Sequence, residues 1–337
     1  MTQLILANIG SFPRVGEDKD HQRYRRGYGH FERKEISAHG FRDVVQSVIQ
    51  EIIRDQETCF LDEVTDGLVT WQDPISHFCT NLTGIERTGL TRYFGTNFYF
   101  RRPVIAARPR FNGPLIVNEF LFAKSVTSKT VRAVLTGPLT LATHTGATAK
   151  NLTKLSSRVD LFTEVIGEEV RALAAAGASV IQIDEPSLAG PGADFKLAKK
   201  SLERICEKKG AAKIVLALYF FPLARLWNAL QSLPVDGLQL DFTKDGEQLF
   251  QNMLAKPGSK EIGFGLLDAL TTKLEPTARV GDILRRWLDV TPAARVRVTP
   301  SAGLELLPRG SALAKLGLLN SLRAQFQSSP QPLAANE

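Results

Sequence analysis

The chain has 337 residues, is 43% hydrophobic and 23% charged, and carries three cysteines and a net charge of +7. A core of this size needs no disulfide or structural metal to fold. No apolar run approaches the roughly 20 residues of a membrane span, and basic residues scattered rather than striped argue against nucleic acid.

In chain order, short apolar runs alternate with amphipathic stretches. LILANIG, from Leu4, is the first run. The densest basic cluster follows, RYRRGYGHFERK from Arg23. It reads as a solvated helix face, with a phosphate or polyglutamate anchor as the alternative. TCFLDEV, ending at Val64, is the second run. GTNFYFRRPVIAARPRFNGPLIV then alternates and carries Asn112-Gly113. It reads as an inserted hairpin, within an excursion over 85–125, before the fourth strand. RAVLTGP ends at Pro138. LSSRVDLFTEVIGEEVRALAAAGA follows, with Leu161, Phe162, Val165, Ile166, Val170 and Leu173 at helical spacing and Gly177 as its stop. SVIQIDEP ends at Pro186. KIVLALYF, from Lys213, runs through its strand without one metal-binding group. DGLQLDF, EIGFGLLD and RVRVTPS complete the series, ending at Phe242, Asp268 and Ser301.

Such runs suit parallel strands buried on both faces. Eight strand–helix units predict an α/β fold, a (β/α)8 TIM barrel, as a single domain over 1–327 with a disordered polar tail over 328–337. A doubly wound open sheet is the runner-up. No GxGxxG or GxxxxGK[ST] follows any strand, which weakens its nucleotide-binding form. Cys59, Cys79 and Cys206 form no paired pattern and no leader is evident, so a reducing cytoplasm is expected.

A barrel of this kind carries its active site at the carboxyl ends of its strands. The polar residues there are Ser11, Asp62, Glu63, Asp66, Thr136, Thr140, Asp184, Glu185, Tyr219, Asp241, Asp268, Thr299 and Ser301. An acidic pair such as Asp184-Glu185 is costly to bury unless paired or used.

IGSFPR (from Ile9), DEVTDG (Asp62), LTGPLTL (Leu135), IQIDEPSL (Ile181), IGFGLLD (Ile262) and VTPSAGLELLPR (Val298) occur in that order. Together they resemble the catalytic barrel of cobalamin-independent methionine synthase, in its short form and over nearly the whole chain. The resemblance implies a barrel that binds homocysteine, with zinc holding the thiol as thiolate for methyl transfer. It also implies that the backbone at Ile9, Gly10 and Ser11, with Asp184, holds the amino acid's carboxylate and ammonium groups. Tyr219 and Ser301 complete the expected substrate-binding set. Asp184, Glu185 and Asp241 are the expected proton carriers.

The family's zinc ligands are a His and a Cys two apart, a Glu and a late Cys. Here Leu216, Leu218, Asp241 and Ala302 hold those positions. A lone aspartate cannot build a tetrahedral N/S site, so no metal and no cofactor is expected. His77-Phe78-Cys79 has the right letters, but in a helix residues two apart point about 200° apart. The family's second acid is Leu68, and His144 stands near its folate-stacking Trp. A folate or corrinoid methyl donor therefore stays open without support.

Two functions follow. One is a methionine-synthase-like enzyme for a small sulfur-containing or amino-acid substrate, working without zinc by group transfer or acid–base chemistry. The other is an inactive binding or partner subunit on the same barrel. The expected partners are a small molecule and, left open, a methyl-donor protein or partner subunit. Neither nucleic acid nor membrane is expected, and an anion-binding barrel rests on charge alone.

Overall fold

A computed structural model describes residues 3–80, 82–291 and 295–328. Elements are numbered in chain order. β1 is Gln3–Leu6, α1 Arg23–Glu32, α2 Ala38–Thr58 and β2 Glu63–Val64. A hairpin of β3, Ile85–Arg92, and β4, Tyr99–Ile105, precedes α3, Val117–Ser125. β5 is Thr130–Thr136, α4 Pro138–His144, β6 Gly146–Ala147 and α5 Leu155–Ala175. β7, Val180–Asp184, leads to α6, Phe195–Cys206; β8, Lys213–Leu218, leads to α7, Trp227–Leu230. β9, Gly237–Asp241, precedes α8, Gly246–Ala255. β10, Glu261–Leu267, precedes α9, Thr277–Val290. β11, Arg295–Pro300, precedes α10, Arg309–Ser328.

Eight parallel strands run in the order β1-β11-β10-β9-β8-β7-β5-β2. The ring closes where Ala7 bridges Glu63 in parallel and the Asn8 amide donates to the Glu63 carbonyl at 3.2 Å. This is a (β/α)8 TIM barrel. The helices cover it with the stripes their spacing predicts. In α5, Phe162, Val165, Ile166, Val170 and Leu173 are buried. Gly177, at φ +82°, then ends the helix, with its amide on the Ala174 carbonyl.

The excursion differs from expectation in two respects. It leaves the barrel after the second ring strand and returns at the third, β5, not before the fourth. Its turn is Tyr93–Phe98, where the Tyr93 amide donates to the Phe98 carbonyl at 2.8 Å, not Asn112-Gly113. The alternation in FYFRRPVI belongs to a single strand, β4, and the sequence before it supplies the partner. Beyond Ser328 the expected tail lies outside the described residues. Among the described residues no helix is long and apolar enough to cross a membrane.

The barrel interior is not wholly apolar. Glu63, 5% exposed, receives Arg132 from β5 and Arg297 from β11, both buried. Arg297 also reaches Glu261 at 2.6 Å, and Glu261 pairs with Lys213. Gln239 donates to the Thr299 hydroxyl at 2.6 Å. Ring strands on both sides of the closure thus contribute to a polar layer below the mouth.

Candidate ligand site at the barrel mouth

Asp184 ends β7. Its carboxylate accepts from the Gln182 amide at 2.6 Å and from the Tyr219 hydroxyl at 3.1 Å. The same Gln182 nitrogen donates to the Ile9 carbonyl at 2.5 Å, and the Gln182 oxygen accepts from Arg132 at 2.9 Å. One polar chain therefore joins the turn after β1 to β5, β7 and the end of β8. Burial pushes the Asp184 carboxyl up to about 7, against the opposing effect of Gln182 and Tyr219.

The turn after β1 is fixed from its other side by the segment after β11. The Leu304 amide donates to the Ser11 carbonyl at 2.8 Å. A Cβ on Gly303 would lie 2.2 Å from the Ser11 hydroxyl, so this close approach requires glycine.

Gly10, Ser11, Asp184 and Tyr219 line one cavity of about 40 Å³. Trp71, Tyr93, Phe98 and Phe220 form aromatic walls, and Asp73 and Glu305 add two further carboxylates. A larger cleft, about 210 Å³, lies beside Phe242, Glu275 and Arg279, but it holds none of Ser11, Asp184 and Tyr219. Chemistry rather than size therefore selects the smaller space. Two residues on its wall, Leu68 (φ +52°) and Phe220 (φ +73°), occupy the left-handed region. Such positions cost roughly 1–3 kcal/mol and cluster at functional sites. Asp66 holds the first, accepting from the Leu68 amide at 3.0 Å. Asp241 holds the second, accepting from the Phe220 amide at 3.0 Å.

Several expected site residues stand elsewhere. The other oxygen of Asp241 accepts from the Thr243 amide (2.8 Å) and hydroxyl (2.6 Å), so this buried carboxylate anchors a turn and does not line the cavity. Glu185 points away from the mouth. It accepts from the Leu139 amide at 3.0 Å, the Thr140 amide at 2.5 Å and the Thr140 hydroxyl, and so caps the N-terminus of α4. Burial pushes it up to about 7 in spite of those donors. The Ser301 hydroxyl accepts from the Ala269 amide at 3.1 Å, which ties β11 to the loop after β10. The Ile9 side chain is buried, and this residue offers the site only its backbone.

The α4 cap can be tested by crowding. A Cβ on Gly137 would lie 2.2 Å from a Glu185 oxygen. Gly137→Ala is expected to destabilise the fold by about 1–3 kcal/mol, read as a lowered urea midpoint. An unchanged midpoint would mean that Glu185 does not sit against the helix end.

The positions that the resemblance gives as counterparts of the family's zinc ligands do not form a donor set. Leu216, Leu218 and Ala302 are buried apolar groups, and both Asp241 oxygens are engaged. His77 stacks on Trp71 at 5.0 Å, and Cys79 shares its short 3-10 turn. Among the described residues no group of three His, Cys, Asp or Glu converges as metal ligands would. His144 lies in an aromatic cluster with Tyr93, Phe94 and Phe100, where burial pushes it down to about 4.

The family described as "Cobalamin-independent synthase, Catalytic domain" matches residues 4–324. The chain belongs to the cobalamin-independent methionine synthase family. A methionine synthase of Sulfolobus acidocaldarius is 30% identical over 318 residues, 94% of this chain and 90% of that protein. One of Saccharolobus solfataricus is 30% identical over 312 residues, 91% and 90% of the two chains. Among solved structures, a B12-independent methionine synthase from Shewanella sp. W3-18-1, in complex with selenomethionine, has a TM-score of 0.77 at 18% identity. The match covers 96% of this chain and 99% of that one. At that identity the structural likeness shows the shared barrel alone. The chain covers 90% of each of these two relatives, as a short-form member of the family does.

Glu305, Tyr93, Trp71 and Phe98 line the mouth but are not polar strand ends, and reading strand ends passes over them. Glu305 does stand inside the segment VTPSAGLELLPR. Glu305 thus brings a carboxylate to a wall it shares with Leu68, the residue expected at the family's second acid.

Proposed function

We propose that the chain is a methionine-synthase-like group-transfer enzyme that holds a small sulfur-containing amino acid at the barrel mouth and works without the family's zinc. The observation that carries this reading is the Gln182–Asp184–Tyr219 chain, which is tied to the Ile9 carbonyl and whose Asp184 and Tyr219 share one cavity with Gly10 and Ser11. Asp184 would face the ligand's ammonium group, and the Gly10 and Ser11 amides would face its carboxylate. With a pKa near neutrality, Asp184 can also take or give a proton at working pH. Asp241 and Glu185, fully engaged in turns and caps, support the site from behind. The three free cysteines support a reducing, cytoplasmic setting. The methyl donor, a folate, a corrinoid or a donor protein, is left unassigned.

The alternative reading is an inactive binding or partner subunit on the same barrel. Both readings share a metal-free site. The purified protein is expected to carry well under one zinc per chain by elemental analysis after dialysis against a weak chelator. About one zinc per chain would overturn this. Homocysteine methylation is the separating assay. Turnover from methyl-folate or methylcobalamin on the order of 1 per second would show that the thiol is activated here after all.

A further inference from the structure

We propose that the mouth takes its ligand as a methylated onium cation, a sulfonium or quaternary ammonium, and not as a thiol. The proposal rests on the reading that this cavity is the substrate site, and it names the ligand's chemical class. The cavity gathers Asp73, Asp184 and Glu305, and no Lys, Arg or His lines it. Asp73 accepts from the Ile75 amide at 2.8 Å and from the Ser76 amide and hydroxyl and so adds its charge only, which leaves Asp184 and Glu305 to meet a ligand. Among the described residues, none of the three carboxylates belongs to an ion pair. The cations that act on them from behind are committed elsewhere. Arg14 donates to the Val69 carbonyl at 3.0 Å and to the Trp71 carbonyl, and Arg132 pairs with Glu63.

Facing these acids are the rings of Trp71, Tyr93, Tyr219 and Phe220. An independent observation marks the space as built for a ligand. The Tyr93 side chain is 5% exposed, lines the cavity, and has a hydroxyl with no partner in hydrogen-bonding geometry. The neighbouring Tyr219 hydroxyl acts on it, but Tyr219 already donates its own proton to Asp184. Buried tyrosine hydroxyls ordinarily find one.

The electrostatics separate the two ligand classes. A thiolate among three carboxylates meets only like charge, so its thiol pKa would be raised and the nucleophile suppressed. The family answers this with a metal. Here Leu216, Leu218 and Ala302 cannot. A sulfonium or tetraalkylammonium has no N–H or S–H to satisfy and is held by aromatic faces and a nearby anion. Those are the groups that this cavity presents.

Calorimetric titration of the full-length protein tests this with two matched pairs. S-methylmethionine is compared with methionine, and glycine betaine with its carbon isostere 3,3-dimethylbutanoate. The onium member of at least one pair is expected to bind about tenfold tighter or more, and which pair responds distinguishes sulfonium from ammonium. Trp71→Leu should remove that preference and Trp71→Phe should retain most of it, with thermal melts confirming that both fold. If methionine or homocysteine binds as tightly as the onium probes, and Asp184→Asn weakens it, the onium proposal falls while the substrate site stands. If no probe binds at about 10 mM, or if binding ignores Asp184→Asn, both fall.

Discussion

Glu63→Ala is expected to destabilise the barrel by about 3–5 kcal/mol, a larger loss than any polar substitution at the mouth should cause. Glu63 takes Arg132 on one oxygen and Arg297, at 2.9 Å, on the other, and all three side chains are nearly out of reach of water. Removing one carboxylate strands two guanidiniums. Arg297 retains Glu261 at 2.6 Å, but Arg132 retains only the neutral Gln182 oxygen, and its Nε already lacks a partner. An unpaired buried cation costs far more than the intact pair contributes, because the desolvation is not undone. Glu63→Gln should cost less, since its amide oxygen can still accept one guanidinium. The pair also has a pH signature. Burial alone would raise the Glu63 carboxyl, but Arg132 and Arg297 hold it below the ordinary range. A carboxyl with a depressed folded pKa contributes stability above its unfolded value, about 4.3. That stability is lost as pH falls through the folded value. The native chain should therefore lose stability in acid more steeply than Glu63→Gln does. Urea unfolding at neutral and acid pH reads both effects. A Glu63→Ala loss under about 1 kcal/mol would mean that the arginines are solvated, contrary to their burial.

The barrel was legible because buried parallel strands announce themselves as apolar runs, and each run in LILANIG through RVRVTPS meets a ring strand. What these runs concealed was direction. In a closed ring alternate residues face inward, so Arg132, Gln182, Gln239 and Arg297 sit inside an apparently apolar set and find polar partners there. Sequence spacing cannot show that Arg297 meets Glu63 across the ring closure. The acidic pair Asp184-Glu185 shows the same limit at shorter range. Adjacent residues leave a strand in opposite senses, so one carboxylate enters the mouth and the other turns back to cap α4. Only the flanking Gly137-Pro138 hinted at a helix start in need of an acceptor. The hairpin was visible as an excursion, but Asn112-Gly113 drew the turn away from Tyr93–Phe98. That turn then brings Tyr93 and Phe98 to the site from the hairpin, away from the carboxyl end of any ring strand.

Asp184→Asn is expected to weaken an amino-acid or onium ligand by about tenfold or more, and Asp241→Asn to change it less. A carboxylate facing a ligand cation in a closed mouth is a charge-assisted contact worth roughly 1.5–3 kcal/mol, which is about ten- to over a hundredfold in Kd. The substituted amide would keep one oxygen as acceptor for Gln182, and its NH2 could donate to the Tyr219 hydroxyl, which would then accept, but it would carry no charge. The loss should therefore appear in affinity and not in the melting temperature. Asp241 works the other way. It meets no ligand, and its oxygens hold the Phe220 amide and Thr243, so its loss should lower stability first and reach the ligand only through a loosened Phe220 wall. The affinity of the native protein should also rise with pH near 7, because the raised Asp184 carboxyl must ionise to oppose a cation. Around it, Glu185 and Glu305 add negative potential and Arg132 opposes them, while burial keeps Tyr93 and Tyr219 neutral. Asp184→Asn should flatten that rise. Calorimetry of the three proteins at pH 6 and pH 8 reads affinity and pH slope together. If Asp241→Asn is the more damaging to affinity, or the pH slope survives in Asp184→Asn, another acid of the mouth, with Glu305 first, holds the ligand's charge.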